Sequence, residues 1–324
     1  MKAPSKVSVV IPTLNAGVWF YELLSAIHAQ EGDFDLEVLV VDSGSTDGTV
    51  ELARRCGARV HSIPGSEFNH GATRNLGVSL TSGEYVVLVV QDALPVGKGW
   101  ISAMISNLEN DGRVAGVYAR QIPRPEADPV TRALVSGMAS ATPERREQRA
   151  EGDYEKLPPP RKRRLAAFDN VSSCVRRSVW EEFAFEAARF GEDIRWGKAV
   201  VGAGYTVVYE PRSVVVHSHE RGALYDLKRY YADQKVLAEL FDLRPVGSLP
   251  RLARAVAGVT GRLYPALKKD ERLAGKPRPF IFFEALRYAG VSQLGNYLAV
   301  RGEALEKSNP AAYERLDRYL GRGV

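Results

Sequence analysis

Three apolar runs near the start of the chain, VSVVI at 7–11, VLVV at 38–41 and YVVLVV at 85–90, show no alternation of polar and apolar positions. Such runs suit strands covered on both faces in a parallel sheet. Each ends abruptly in a turn segment: Pro12, Thr13, Leu14 and Asn15 after the first, DSGSTDGT after the second, and Gln91, Asp92 and Ala93 after the third. An amphipathic helical stretch from 18 to about 30 follows the first turn, so the chain opens as a βαβ unit. Three strands therefore bring polar residues to one sheet edge. In open α/β sheets that edge is where ligands bind.

The pattern continues with a short strand at 60–63, a polar loop GSEFNHG at 65–71, and a helix over 72–81 spaced by Leu76, Val78 and Leu80. A helix at 100–108 and a strand at 114–118 follow. From 123 to 164 the periodicity dissolves into Pro, Arg and Glu, ending in PPPRKRR; that composition predicts a mobile loop or lid. Regular patterning returns with a strand at 171–176, a helical turn at 178–183, a helix at 193–203 stopped by Gly204, and two strands at 205–209 and 214–217. Helices at 225–240, 250–267 and 280–302 complete the reading. The predicted organisation is an alternating α/β domain over 1–219 and a helical extension over 220–324.

Composition narrows the class. With 324 residues, 45% of them apolar and 9% aromatic, the chain can bury a substantial core. A net charge of +5 is too small to point to nucleic acid without a concentrated patch. From Glu220 onward there are 19 Lys and Arg against 12 Asp and Glu, so the basic surplus lies wholly in the last third. Cys56 and Cys174 are the two cysteines, too far apart in sequence and too isolated to suggest a disulfide framework or a zinc site. No apolar run approaches the roughly 18 residues that span a bilayer, and MKAPSK leads straight into a strand. The expected location is the cytoplasm, with contact at the inner face of the membrane left open.

Several residues at the predicted ligand edge could carry chemistry. Asp42 could accept hydrogen bonds from a base or ribose, or cap the following helix, although Asp47 already offers a capping carboxylate. Asp92 is placed to hold a divalent cation against a diphosphate, since hard cations prefer carboxylate oxygen; its plain alternative is a turn residue. Glu192 and Asp193 open a predicted helix, whose dipole favours ionised carboxylates, which suits either a general base or a simple N-terminal charge pair. His217 and His219 point to one side of a predicted strand by alternation and could complete a metal or phosphate site. His28 and His61 fit structural roles. In FNHGATRN, Arg74 could pair with a phosphate or a sugar hydroxyl near a helix N-terminus.

Taken in order, VSVVIPTLN, VLVVDSGSTDGT, the acid after YVVLVV, and ED followed three residues later by Trp196 resemble the inverting family 2 glycosyltransferases of the GT-A fold, over about 7–219. The details FNHGATRNLG, VVQDALP, YARQIP, FDNVSSCVRRSVW and VVHSHE are similar to bacterial rhamnosyltransferases of surface polysaccharide assembly. The resemblance implies a Rossmann-like, mixed but mostly parallel sheet flanked by helices, with a C-terminal helical extension. It implies that Pro12, Asn15, Asp42 and Ser45 line the nucleotide pocket, with Gln91 beside them and Arg74 nearer the diphosphate. Asp92 would be the metal acid and Asp193 the catalytic base. The family's DxD pattern reads Gln91, Asp92, Ala93 here, which leaves one carboxylate for Mg2+ or Mn2+ and makes His217 or His219 the source of a further ligand.

The implied reaction is transfer from a nucleotide sugar, dTDP-L-rhamnose if the subfamily likeness holds and a UDP- or GDP-linked sugar otherwise, to a saccharide or lipid-linked acceptor. A sugar-nucleotide binder that has lost catalysis is the non-enzymatic alternative. A nucleotidyltransferase would carry a Gly- and Arg-rich loop after its first strand, where this chain has PTLNAG, and a dehydrogenase would carry GxGxxG. The helical extension, with stretches such as LYDLKRYYADQKVLAELF, suits packing on the catalytic domain, a homodimer contact, or an anionic membrane surface.

Overall fold

The computed structural model describes residues 4–188 and 190–323. They fall into two units, one running to Ile122 and resuming over Met138–His217, the other made of Pro123–Gly137 and the residues from Ser218 on.

The first unit opens with β1 (Ser5–Thr13), α1 (Phe20–His28), β2 (Phe34–Asp42), α2 (Thr49–Arg55), β3 (Arg59–Ser62), α3 (His70–Ser79) and β4 (Tyr85–Val89). β1 pairs in parallel with β2 on one side and β4 on the other, and β3 extends the sheet beyond β2. The strand order thus reverses at β1, and the crevice between the carboxyl ends of β1 and β4 is the switch point at which open α/β sheets bind ligands. Both sheet faces are covered, as the apolar runs require. Val7, Val9 and Ile11 pack with Phe20, Leu23 and Ile27 on one face, while Val10, Leu39 and Leu88 pack with Val78 and Trp196 on the other.

β5 (Leu94–Pro95), α4 (Trp100–Asn110) and β6 (Val114–Ile122) follow. The chain then passes through α5 (Pro129–Ser136), which belongs to the second unit, before β7 (Arg146–Gln148), α6 (Pro159–Leu165), β8 (Ser172–Arg176), α7 (Arg177–Glu182), α8 (Glu192–Gly202) and β9 (Thr206–Val216). β8 runs antiparallel between β4 and β6, β9 lies parallel to β6, and β5 and β7 pair antiparallel with β9. The sheet is mixed, with its parallel half at the ligand edge.

The structure departs from the sequence reading in three places. The stretch 123–164 is not a structureless lid. Asp128 caps α5 by accepting from the amides of Val130 and Thr131 at 2.8 and 3.1 Å, and prolines open both α5 and α6, where a missing N–H costs nothing. The expected strands at 205–209 and 214–217 are one, β9, in which Ala119 faces Glu210 and Arg120 faces Val214. Pro211, Arg212 and Ser213 form the bulge that interrupts the apolar pattern. In the second unit, α9 (Ala223–Phe241), α10 (Leu249–Lys268) and α11 (Arg278–Ser308) are followed by α12 (Pro310–Leu320), which the sequence reading omitted. Its start is capped by Asn309, whose side-chain oxygen accepts from the Ala312 amide.

The second unit has its own apolar interior. Leu263 and Leu267 of α10 meet Ile281, Ala285 and Tyr288 of α11, with Val130 and Leu134 of α5 against them. Helix α9 joins through Tyr231, which packs with Ala299 and Leu320.

Candidate active site

The turns after β1, β2 and β4 are hydrogen-bonded into one cradle. Asp42, at the end of β2, is 2% exposed and accepts from the Gly44 and Ser45 amides at 3.0 and 2.9 Å, from the Thr13 hydroxyl at 3.0 Å, and from the Ser45 hydroxyl. Burial alone would raise its proton affinity. The Ser45 hydroxyl, the two amides and Thr13 more than offset that, and the carboxyl is held below its usual range. Asp42 thus ties β1 to the turn after β2 rather than facing solvent. Asn15 sits at a left-handed φ of 47°. Its side-chain oxygen accepts from the Thr46 amide at 2.9 Å, and its own amide donates to the Ser45 hydroxyl at 2.8 Å. Asp47 accepts from the Thr49 amide at 3.1 Å and from Gly17 at 3.3 Å. It supplies the capping carboxylate for α2.

Gln91 closes the cradle from the β4 side. Its Oε1 accepts from the Leu14 amide at 2.8 Å and its Nε2 donates to the Leu14 carbonyl at 3.2 Å. The amide that stands where the family has an acid therefore clamps the backbone of the first turn. Pro12, half-buried, precedes that turn.

The next residue, Asp92, turns toward the end of β9. Because Leu94 pairs with Val216, the loop carrying Asp92 lies beside His217, and Asp92 Oδ1 is 3.7 Å from His217 Nε2. The other imidazole nitrogen, Nδ1, is 3.2 Å from Gln121 Oε1. Gln121 Nε2 donates in turn to Asp169. A carboxylate can only accept, so the amide nitrogen of Gln121 must face Asp169 and its oxygen must face His217. Nδ1 then carries a proton, and in the neutral ring Nε2 presents its lone pair on the side of Asp92. A carboxylate and an imidazole in this relation suit Mg2+ or, better, Mn2+; the donor chemistry fits a divalent cation. His219 lies two residues past His217 along the chain, in the second unit.

Asp193 lies in the first turn of α8, whose position is set by a buried ion pair. Glu192 is 6% and Arg74 4% exposed, and Arg74 Nη1 is 2.7 Å from Glu192 Oε1. Asn170 Nδ2 adds a 3.4 Å contact to the same oxygen. Arg74, placed by sequence near a diphosphate, is here enclosed with Glu192 and joins α3 to α8. Helix α3 approaches closely because residue 71 is glycine: a Cβ there would overlap the Glu186 carbonyl.

Asp193 Oδ1 accepts from the Ile194 amide at 2.7 Å. Burial, the neighbouring Glu192 and then Asp169 raise its carboxyl from the ordinary 3.8 to about 8, with the Ile194 amide and Arg74 opposing them. A base of that strength is matched to proton abstraction near neutral pH. Asp169 thus belongs to two arrangements, holding Gln121 by a hydrogen bond and raising Asp193 through its charge.

Sequence reasoning gave no role to Gln121 or Asp169, although both lie in quoted motifs, YARQIP and FDN. Only the pairing of β6 with β9, and the approach of the segment before β8, brings them to His217.

The profile of "Glycosyl transferase family 2" matches residues 8–174, a span that includes the whole cradle of turns after β1, β2 and β4. The chain belongs to glycosyl transferase family 2. It is 29% identical to the O-antigen chain rhamnosyltransferase RfbN of Salmonella typhimurium over 307 residues, which are 94% of this chain and 92% of that protein. It is 27% identical to the O-antigen chain rhamnosyltransferase WbaN of Salmonella anatum, covering 93% and 91%. The mannosyltransferase PcManGT of Pyrobaculum calidifontis, solved with GDP-Man and Mn2+, superposes with a TM-score of 0.52 at 21% identity, covering 98% of this chain and 85% of that one. TarS of Staphylococcus aureus, solved with UDP-GlcNAc, gives 0.51 at 16% identity, with 92% of each chain covered. The fold of this family 2 transferase is therefore GT-A, and the protein is a glycosyltransferase. Among the described residues no helix is long and apolar enough to cross a membrane.

Proposed function

We propose that this family 2 transferase moves L-rhamnose from dTDP-L-rhamnose, with inversion, to a saccharide or lipid-linked saccharide acceptor in surface polysaccharide synthesis. The observation that carries the sugar assignment is the similarity to two O-antigen rhamnosyltransferases over more than nine-tenths of the chain, helical second unit included.

In this reading Pro12, Asn15, Asp42 and Ser45 frame the nucleoside, with Asp42 acting through the turn that it ties. Gln91 fixes the first turn against which the donor rests. Asp92 and His217 would hold a Mg2+ or Mn2+ ion, with His219 as a third ligand, since two residues of backbone keep it within reach of the same point. When bound, that ion offsets negative charge on the diphosphate. Asp193 takes the proton of the acceptor hydroxyl as the hydroxyl oxygen bonds to the anomeric carbon from the face opposite the nucleotide. The carbon–oxygen bond to the diphosphate breaks, dTDP leaves with the electron pair, and the rhamnosyl linkage emerges as α. Arg74 serves by holding Glu192, and through it the start of α8. The helical second unit would contact the acceptor.

Thermal unfolding in the presence of dTDP-, UDP- and GDP-linked sugars tests the donor. A ligand at 100 times its dissociation constant adds about 2.7 kcal/mol, so dTDP-L-rhamnose should raise the midpoint and the other donors should not. Selective stabilisation by a UDP or GDP sugar would move the assignment to that donor. Binding without release of nucleotide diphosphate, in the presence of a saccharide acceptor, would make the protein a binder.

A further inference from the structure

Helix α10 is strongly amphipathic. Its apolar stripe includes Leu249, Leu252, Val256 and Tyr264, and it converges with Phe282 and Leu286 of α11 on an apolar cleft of about 590 Å³. The rim of this cleft is not withdrawn from water: Leu249 is 65% exposed, and Phe283, next to the cleft-lining Phe282, is 63% exposed. Large apolar side chains grouped in this way mark a surface that meets another apolar phase.

The charge on the same helix is one-sided, with Arg254 and Lys268 flanking the apolar stripe and Arg251 and Arg262 on the side opposite it. Helix α10 carries Arg251, Arg254, Arg262 and Lys268 and no Asp or Glu. Lys276 and Arg278 stand at the entry to α11. Lys268 Nζ lies 5.6 Å from the centre of the Tyr264 ring, and Lys276 Nζ lies 5.9 Å from that of Phe280, so these amines ride over aromatic surface with their charge outward. Of the nearby acids, Asp270 lies 3.5 Å from Arg132 and Glu284 2.8 Å from Arg287, which leaves Glu271 outnumbered by the cations.

We propose that the α10–α11 face docks on the surface of a bilayer containing anionic lipids. The interior of a protein interface is depleted of charge, and a nucleic acid would leave the exposed leucine and phenylalanines unsatisfied. An anionic bilayer uses both parts, because acyl chains accept the Leu and Phe side chains while phosphate headgroups face the arginines and lysines. The first half of α10, about 15 Å long, would lie in the interface plane, since Leu263 and Leu267 of its second half are already buried against α11 and α5.

The test is co-sedimentation of the full chain with vesicles of phosphatidylcholine alone or mixed with phosphatidylglycerol. The protein should partition to the mixed vesicles, and added salt should weaken that binding. Replacing exposed apolar contacts (Leu249→Glu with Phe283→Glu) should reduce partition about tenfold or more. Reversing two charges (Arg251→Glu with Arg254→Glu) should remove the preference for phosphatidylglycerol by a similar factor. All four side chains are exposed, so both variants should keep the native melting transition; the charge pair stands as an independent test if the first pair does not fold. Equal partition to both vesicle types, or unchanged partition of the folded variants, would overturn the proposal. So would a dimer in sedimentation velocity that Leu249→Glu with Phe283→Glu dissolves while vesicles bind nothing, since the face would then belong to a second copy.

Discussion

Replacing Asp193 by Asn separates a catalytic role from a structural one, because the two properties should move in opposite directions. The Asn side-chain oxygen can still accept from the Ile194 amide, so the start of α8 keeps its local bond. What changes is the proton. In the folded protein the Asp193 carboxyl is raised from 3.8 to about 8 by burial, Glu192 and Asp169, and between those values the folded state binds a proton that the unfolded state has lost. Stability of the native protein therefore falls as pH rises through this window, and the loss is complete above the folded value. Asn has nothing to titrate there. Linkage therefore makes the wild-type cost of this site larger at pH 7 than at pH 5. The stability of the Asn variant relative to wild type should thus grow by a few kcal/mol, on the order of 2 or 3, between those pH values. Urea unfolding followed by circular dichroism at intervals from pH 5 to pH 8 reads this directly, and it needs no donor. Transfer, measured as release of nucleotide diphosphate, should fall by about 10² to 10⁴, the range for a positioned general base. A difference in stability that stays flat with pH would refute the electrostatic argument. Near-native turnover would remove Asp193 from the base role.

Gln121→Leu should free the imidazole of His217 from its fixed tautomer, weakening Mn2+ binding by about 10- to 100-fold in calorimetry without donor; histidine nitrogen shifts should report the change of tautomer. Arg74→Met should leave Glu192 buried without its partner at a cost of about 3 to 5 kcal/mol, measured by urea unfolding, and adding Glu192→Gln should restore much of it. Asp42 is held below its usual range, so its contribution is present above the unfolded pKa and is lost as pH falls through the folded one. The stability gap between wild type and Asp42→Asn should accordingly close on acidification. Gln91→Ala removes both bonds to the Leu14 backbone and should weaken donor binding while the global melting point shifts by no more than a few degrees.

The parallel half of the sheet was legible because β1, β2 and β4 end in apolar runs buried on both faces, at 9–11, 38–41 and 85–89; the turns at 12–15, 42–48 and 91–92 could then be placed at one edge. Asp92 and His217 could be nominated, but their proximity depends on β5 pairing with β9, a two-residue strand with no periodicity to detect. Arg74 read as a phosphate ligand because it sits near a helix start. Its pairing with Glu192 joins residues 118 apart in sequence, and no local pattern encodes that distance. The stretch 123–164 read as a loop because prolines and charges dominate it, yet prolines at helix starts are compatible with order. Gln121, 4% exposed in a strand, looks like any polar residue at a strand end until the sheet closes around it.

The clamp that Gln91 places on Leu14 constrains how this sequence can drift. An Asp at position 91 would put two adjacent acids at this edge, but it is one methylene shorter and has no N–H for the Leu14 carbonyl, so it would set a carboxylate against an oxygen. The single substitution that would add a second acid here is thus obstructed by the backbone turn beneath it. A lineage holding Gln91 would have to rebuild the 13–17 turn first, and until it did, any ion at this edge would depend for its further ligands on the far end of β9.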